Sequence, residues 1–429
     1  MQMQLIKTLK WLHPISLAAS IDEDEESWLL LHSGVNNDFS GNYSILALQQ
    51  KSEVSTLEEL EKMLSSDKSM LENSWFGYLG YGLKNKLEKL PQDSEFKIDL
   101  PDLWMANFKL ILLFKHKDNN IEVWAQSKEL EKYIPKAADI NECRFDIANL
   151  SSNMSRYQYL EKVKIIQDAI RRGDLYQANL TRKFYGNITN ARPIEIFKKL
   201  CEISPSPYSA FIKLGSKYII SSSPERFLYI DNKGNVDTRP IKGSATRFKN
   251  KKQDEISFNN LKNSVKDKAE NLMIVDLSRN DISKNCVVGS VKTSDLFNIT
   301  SYATIHHMAS TVTGKKLSSS SSLELVKGCF PPGSMTGAPK IKAMQLCSDL
   351  EKVKRGVYSG AIGYFAGDGS VDLSVVIRTL IIDGNNFEFQ VGGAIVADSN
   401  PQLELEETLT KAKAIANTLG ISLDSLREL

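Results

Sequence analysis

Between residues 28 and 150, short apolar segments (WLLLHSG, YSILALQ, WFGYLGYG, FKLILLF and IEVWAQ) alternate with polar or charged stretches. Their length and their β-branched and aromatic content predict a mainly β N-terminal region. Around residues 134 to 154 the apolar pattern lapses into KAADINECRFDIANLSSNMS, which predicts a linker and a boundary near residue 150. Ser155 then stands where a helix cap is needed, Leu160, Val163, Ile166 and Ile170 recur at helical spacing, and Gly173 supplies the stop.

The next segment, YQANLTRKF, alternates as a strand. Gln177, Asn179 and Thr181 share one of its faces, so a polar strand face looks towards something wet or functional. A helix is predicted over residues 258 to 273, and strands near 287 to 292 and 305 to 313. Ser318 to Ser322 reads as a loop, and Ser321 and Glu324 have capping-box spacing for a helix running to Cys329. A strand pair, 359 to 366 and 374 to 382, precedes the strand FEFQVGGAIVA, and a final helix covers about 402 to 418. Strands and helices mix without a βαβ period, which predicts an α+β fold. Residues 1–150 form the mainly β region and 151–429 the region carrying the chemistry, the two sharing sheets in one body. No internal repeat is apparent.

Composition narrows the partners more than the fold. With 41% hydrophobic and 25% charged residues in 429, the chain reads as soluble and globular. Fifty-four Lys and Arg against 52 Asp and Glu leave a net charge of +2, so no whole-molecule field points to nucleic acid or a membrane. Cys143, Cys201, Cys286, Cys329 and Cys347 are odd in number and unpaired in spacing, which fits a reducing cytoplasm. Lys7, Lys10, His13 and Pro14 interrupt the apolar core that a signal peptide would need.

Local chemistry is concentrated after residue 220. In TRPIKGS, residues 238 to 244, Lys242 follows a Pro-Ile strand end and precedes a glycine. Such a lysine is ordinarily solvated surface. To act as a nucleophile it must be neutral, with a pKa well below the usual ~10.4, and burial together with the sequence neighbours Arg239 and Arg247 would push it that way. Glu225 in SSSPERF could take the lysine's proton, or could simply pair with Arg226.

Asp267 and Glu270 stand three apart in a helical segment, as do Glu404 and Glu407, so each pair shares a helix face. Acidic pairs of this kind are mostly solvated, but two brought together would make a hard-oxygen site suited to Mg²⁺. FPPGSMTGAPK, residues 330 to 340, carries Gly333 and Gly337 and could turn backbone N–H groups on an anion, although it lacks the Lys-Ser/Thr of a P-loop. Gly392 and Gly393 in VGGAIVADS allow either a carboxylate's close approach or a bulge. His306 and His307 point to opposite strand faces, so at most one enters a site.

PERF, TRPIKG, AENLMIVDLSRND, IHHMAS, FPPGSMTGAPK, SGAIGYF, VIRT, VGGAIVADS and LEETLTKAKA occur together in the order that resembles the chorismate-utilising enzymes. That family includes anthranilate synthase component I, aminodeoxychorismate synthase component I, and isochorismate and salicylate synthases. The resemblance covers residues 155 to 418 and implies an anthranilate synthase component I-like fold, a β-sandwich core of two packed sheets with helices outside. PIKG at Lys242 resembles the aminodeoxychorismate branch, where anthranilate synthases show PIAG. Gln177 stands where isochorismate and salicylate synthases present a water-activating lysine.

The resemblance further implies chorismate bound through Mg²⁺ held by Glu270 and Glu407, with Asp267 and Glu404 in support. Tyr364, Arg378, Lys411 and the Gly392, Gly393 and Ala394 backbone resemble carboxylate-binding positions, with Thr336 and Gln177 in the pocket and His307 near the reacting ring. Lys242 would attack ring carbon C2, Glu225 would act as base, and ammonia would resolve the adduct at C4. Ser244 and Pro332 depart from the usual threonine and glycine or alanine, and LLLHS replaces the LLES of the tryptophan site. No glutaminase nucleophile segment is recognisable, so a glutamine amidotransferase subunit is the expected partner, with no nucleic-acid or membrane partner. Anthranilate synthase component I is the rival within the family, and a non-catalytic scaffold the rival outside it.

Overall fold

A computed structural model describes residues 2–21, 23–35, 41–64, 69–91, 94, 98–140, 144–302 and 305–429; Cys143 lies outside these residues. The five apolar segments of the N-terminal region become strands Ser27–His32, Tyr43–Val54, Trp75–Leu79, Leu103–Lys115 and Asn120–Ala125. An additional strand, Gln4–Lys10, pairs with Asn120–Ala125.

All these pairings are antiparallel. One run of strands starts at Asp146–Ser152 and passes through Gln177–Thr189, Asn386–Ile395, Thr379–Asp383, Lys217–Ser223, Tyr208–Leu214, Ser27–His32 and Tyr43–Val54 to Leu103–Lys115. A second run leaves the first half of Leu103–Lys115 through Trp75–Leu79, Ala361–Phe365, Val371–Val375, Arg226–Ile230 and Asn235–Thr238 to Ile305–Lys315.

Alternation along the strands builds three layers of core from these two runs. Leu29, Ile45, Ile111 and Ile212 of the first run meet Phe76, Tyr78, Trp104 and Ile362 of the second, so the two sheets pack face to face. The opposite face of the first run, with Leu30, Leu112, Phe211 and Phe389, buries Phe197 of helix Pro193–Ile203 and Ile415 of helix Pro401–Leu419. The opposite face of the second run, with Leu103, Leu228 and Leu373, buries Val275 of helix Val265–Ser283 and Leu325 of helix Ser322–Cys329. The expected α+β sandwich with helices outside is therefore present.

Several boundaries differ from the pattern. The expected linker contains strand Asp146–Ser152, whose neighbour supplies the hydrogen bonds that its own composition does not advertise. The helix expected over 258 to 273 is two helices, Lys251–Asn263 and Val265–Ser283, because Ser264 caps the second through its hydroxyl. The strand expected at 287 to 292 begins only at Lys292 and runs to Ser301. The strand expected over 374 to 382 breaks at Arg378, which takes a left-handed φ of 52°.

Candidate active site

Lys242 sits in strand Ile241–Thr246, paired with Ile305–Lys315. The register slips between Ile241, opposite Ala309, and Ser244, opposite His307, so Lys242 and Gly243 occupy a bulge. A bulge re-aims the side chain it carries. Gly243 is required there: its φ is +90°, and a Cβ would lie 2.9 Å from the Asp267 Cβ. The Lys242 Nζ donates to the Ser334 carbonyl at 3.2 Å, in the turn Gly333–Met335 of the FPPGS segment.

Glu225 lies beside this lysine, with Oε1 accepting a long bond from the Ile241 N–H at 3.5 Å and its carboxylate bonded by the Ser334 hydroxyl. It does not pair with Arg226, which is held by Asp372 at 3.1 Å and Asp237 at 3.7 Å. Burial raises the Glu225 pKa, against the lowering effects of Ser334 and Lys242. Burial first, and the Lys411 charge second, lower that of Lys242, against Glu270, Glu225 and Glu407. The expected helpers Arg239 and Arg247 are instead bound to Asp237 and Asp254, so the cation acting on Lys242 is Lys411.

The four acids converge. Helix Val265–Ser283 carries Asp267 and Glu270 and helix Pro401–Leu419 carries Glu404 and Glu407. Lys266 Nζ lies 3.7 Å from both Glu270 Oε1 and Glu404 Oε1, and Lys411 Nζ lies 2.6 Å from Glu407 Oε1. Burial raises Glu270 and Glu404, whereas at Glu407 the burial effect is outweighed by Lys411, Lys242 and Lys266 and the pKa falls. Glu404 is 2% exposed; Ser399 donates to its Oε1 at 2.7 Å, and Oε2 has no partner among the described residues. A Cβ on Gly393 would stand 3.3 Å from that free oxygen and 3.8 Å from Glu407 Oε1, so this glycine keeps the space in front of the acids open. Although no three His, Cys, Asp or Glu side chains among the described residues close into a ready metal cage, an orphaned buried carboxylate oxygen within an all-oxygen donor set fits a hard divalent cation.

The remaining candidates divide. His307 Nδ1 is 2.7 Å from the Ser244 hydroxyl, and Nε2 is buried without a partner among the described residues. Burial, then Arg378 and His306, lower its pKa to about 3, so the ring is neutral. His306 points away, to Ser301 and Asp254. Arg378, whose guanidinium donates to Ser204 Oγ at 3.2 Å, lies within electrostatic reach of His307. Lys411 also donates to the Gly392 carbonyl at 3.0 Å, tying the glycine strand to the acids. Gly392, Gly393 and Ala394 pair in register with Thr181, Leu180 and Asn179. Thr336 turns its hydroxyl back on Gly333 and Pro332, closing its own loop. Gln177 is fully buried with both amide atoms unpartnered among the described residues.

Tyr364 is not brought to this group. Alternation puts it, like Ile362, on the inner face of strand Ala361–Phe365, where it packs 5.9 Å from Phe76 and lines a separate cavity of about 910 Å³ with Arg226 and Asp372. The sequence reading also missed residues that hold the site: Ser334, which touches both Lys242 and Glu225; Lys266, between the acids; and Ser399, which orients Glu404. Serine and lysine carry no spacing signal of their own. Only Lys266, four before Glu270, had a legible ion-pair offset.

Residues 21–417 match the chorismate-binding enzyme family, and this chain is a member of it. Among its relatives, aminodeoxychorismate synthase component 1 of Escherichia coli strain K12 is 36% identical over 352 residues, covering 80% of this chain and 76% of that protein. Anthranilate synthase component I from Streptococcus pneumoniae TIGR4 superposes with a TM-score of 0.76 at 28% identity, over 94% of this chain and 97% of that one. The menaquinone-specific isochorismate synthase of Escherichia coli reaches 0.81 at 14% identity, over 97% and 94% of the two chains, and shares the fold.

Proposed function

We propose that this chain aminates chorismate at C4 with ammonia to give 4-amino-4-deoxychorismate, on the way to para-aminobenzoate and folate. The observation that carries this reading is a half-buried lysine of lowered pKa in a strand bulge, sharing Ser334 with a buried glutamate of raised pKa. These opposed shifts ease proton transfer from Lys242 to Glu225 and leave a neutral amine able to attack.

The Lys242 Nζ forms a bond to ring carbon C2, the ring double bonds shift, and the C4 hydroxyl leaves with a proton as water. Ammonia then bonds to C4, the double bonds shift back, and the Nζ–C2 bond breaks, restoring the lysine. Ser334 holds the pair in register through its carbonyl and its hydroxyl. His307, neutral and with Nε2 unpartnered among the described residues, offers a hydrogen bond to the reacting ring. Lys411 and Arg378 supply positive charge for substrate carboxylates. Mg²⁺ would be held by Glu270 and Glu407, with Asp267 and Glu404 behind them, and would supply Lewis-acid polarisation to the substrate. Ammonia would come from a separate glutamine amidotransferase subunit in the cytoplasm. Among the described residues, no helix is long and apolar enough to cross a membrane.

Intact-protein mass spectrometry with chorismate and Mg²⁺ but no ammonia, run beside Lys242→Ala, tests the mechanism. An adduct on the unaltered chain only, chased by ammonium to aminodeoxychorismate, is expected. Anthranilate with no adduct would overturn it in favour of an anthranilate synthase activity, and no turnover even with ammonium would favour a scaffold.

A further inference from the structure

The side chain of Lys266 is 59% exposed, yet it turns inward between two helices and stands 3.7 Å from one oxygen of Glu270 and 3.7 Å from one oxygen of Glu404. Every acid of the cluster acts on it: Glu404 and Glu407 from helix Pro401–Leu419, Glu270 and Asp267 from its own. The Glu404 oxygen that Lys266 does not reach, Oε2, is the buried oxygen without a partner among the described residues.

Four carboxylates gathered this closely repel one another, and two of them are buried enough that their charge costs solvation. A cation placed among them offsets that repulsion. Lys411 serves Glu407 and also donates to the Gly392 carbonyl, so a backbone group fixes its ammonium. Among the described residues Lys266 is anchored only by the acids: no backbone carbonyl, hydroxyl or neighbouring strand fixes its ammonium. A flexible stem with a mostly exposed side chain can swing into water at little cost.

We propose that Lys266 is a built-in stand-in for the divalent cation, neutralising Glu270 and Glu404 in the metal-free enzyme and leaving for solvent when the metal binds. The inference rests on the reading of the four acids as a metal site. It makes Lys266 a positioning residue: it holds the two carboxylates together and competes with the metal for the same side chains. Metal affinity is then set lower than the donor set alone would give, by roughly three- to tenfold, the size expected for losing two ion pairs whose shared lysine is largely solvated.

The test compares the full-length chain with Lys266→Met and Lys266→Arg. Calorimetric titration with MgCl₂ is expected to show about three- to tenfold tighter binding by Lys266→Met, in the range that two such pairs allow, and near-native binding by Lys266→Arg. Acylation of surface lysines followed by peptide mass spectrometry reads displacement directly. Labelling of Lys266 in the native chain should rise as MgCl₂ is added, while labelling of exposed Lys252 stays constant. Tighter binding by Lys266→Met with unchanged Lys266 labelling would mean a long-range charge effect and overturn displacement. Equal affinities with unchanged labelling would overturn the inference and leave the metal site standing. Absence of Mg²⁺ binding in all three chains would remove the metal reading and this inference together.

Discussion

Burial biases Lys242 and Glu225 towards their neutral forms, and the two shifts act on stability in opposite senses. For Lys242 the folded pKa is lowered below the unfolded ~10.5, so between the two values the unfolded chain binds more protons and stability rises with pH through that window. For Glu225 the folded pKa is raised above the unfolded ~4.5, so stability falls as pH rises from there through the raised value. Lys242→Met removes the first term. Its melting temperature relative to the native chain should therefore drop as pH rises towards ~10.5 through the window above the lowered folded value, and thermal melts up to pH ~10 check it; a flat difference would show that Lys242 is not perturbed. The same variant should lose turnover by at least about a hundredfold, the range for removing a covalent or general-base group. At His307 the pKa of about 3 predicts that its ring resonances do not titrate between pH 5 and 8. Because its unfolded pKa of about 6.5 lies higher, this residue contributes stability that grows as pH rises between those two values. A ring titrating near 6.5 by NMR would place it outside the buried position described.

At the scale of elements, the bulge in strand Ile241–Thr246 and the helix Val265–Ser283 are one device. Gly243 passes so close to Asp267 that the strand's irregularity and the helix's position define each other. Gly243→Ala should cost about 1–2 kcal/mol from the left-handed φ alone, more from the clash, and should reduce adduct formation beyond what the loss of folded protein explains. Normal adduct formation per folded molecule would show that the bulge does not aim Lys242. Ser264→Ala, which removes the cap of the same helix, should lower stability by about 1 kcal/mol in denaturant titration. These elements also show what the sequence could reveal. The apolar run of FKLILLF and the cap at Ser155 each pointed to the right element, because local pattern and tertiary burial agree there. Helix Val265–Ser283 buries Asn271 and Asp281 while leaving Val265 and Leu272 exposed, so its apolar pattern is weak and its start was misplaced. The acids of the site were visible as i,i+3 pairs, but their meeting across more than a hundred residues was not. Tyr364 failed for a simpler reason: one residue's parity along a strand decides which face it serves, and parity is invisible to a motif.

In the whole molecule, the N-terminal strands are not an appendage to the site but half of the sandwich beneath it. Strand Ser27–His32 closes the edge of Tyr208–Leu214, and Trp75–Leu79 closes that of Ala361–Phe365. The inner core takes Leu29, Phe76 and Trp104 from one part and Ala210, Ile219 and Ile381 from the other. Removing the first part would bare two strand edges and one face of that core at once, which leaves a chain prone to association rather than a smaller stable domain. Residues 136–429 expressed alone should therefore show no cooperative thermal transition and no chorismate-dependent adduct. Fragments 1–135 and 136–429, produced together as two chains, should assemble and recover both, because the break falls between elements and leaves every pairing named above intact. Far-UV melts and adduct mass spectrometry on the single and paired fragments decide the matter. Cooperative unfolding and adduct formation by 136–429 alone would mean that the catalytic half carries its own core, and that the shared sheets add little to the energy holding Lys242 in place.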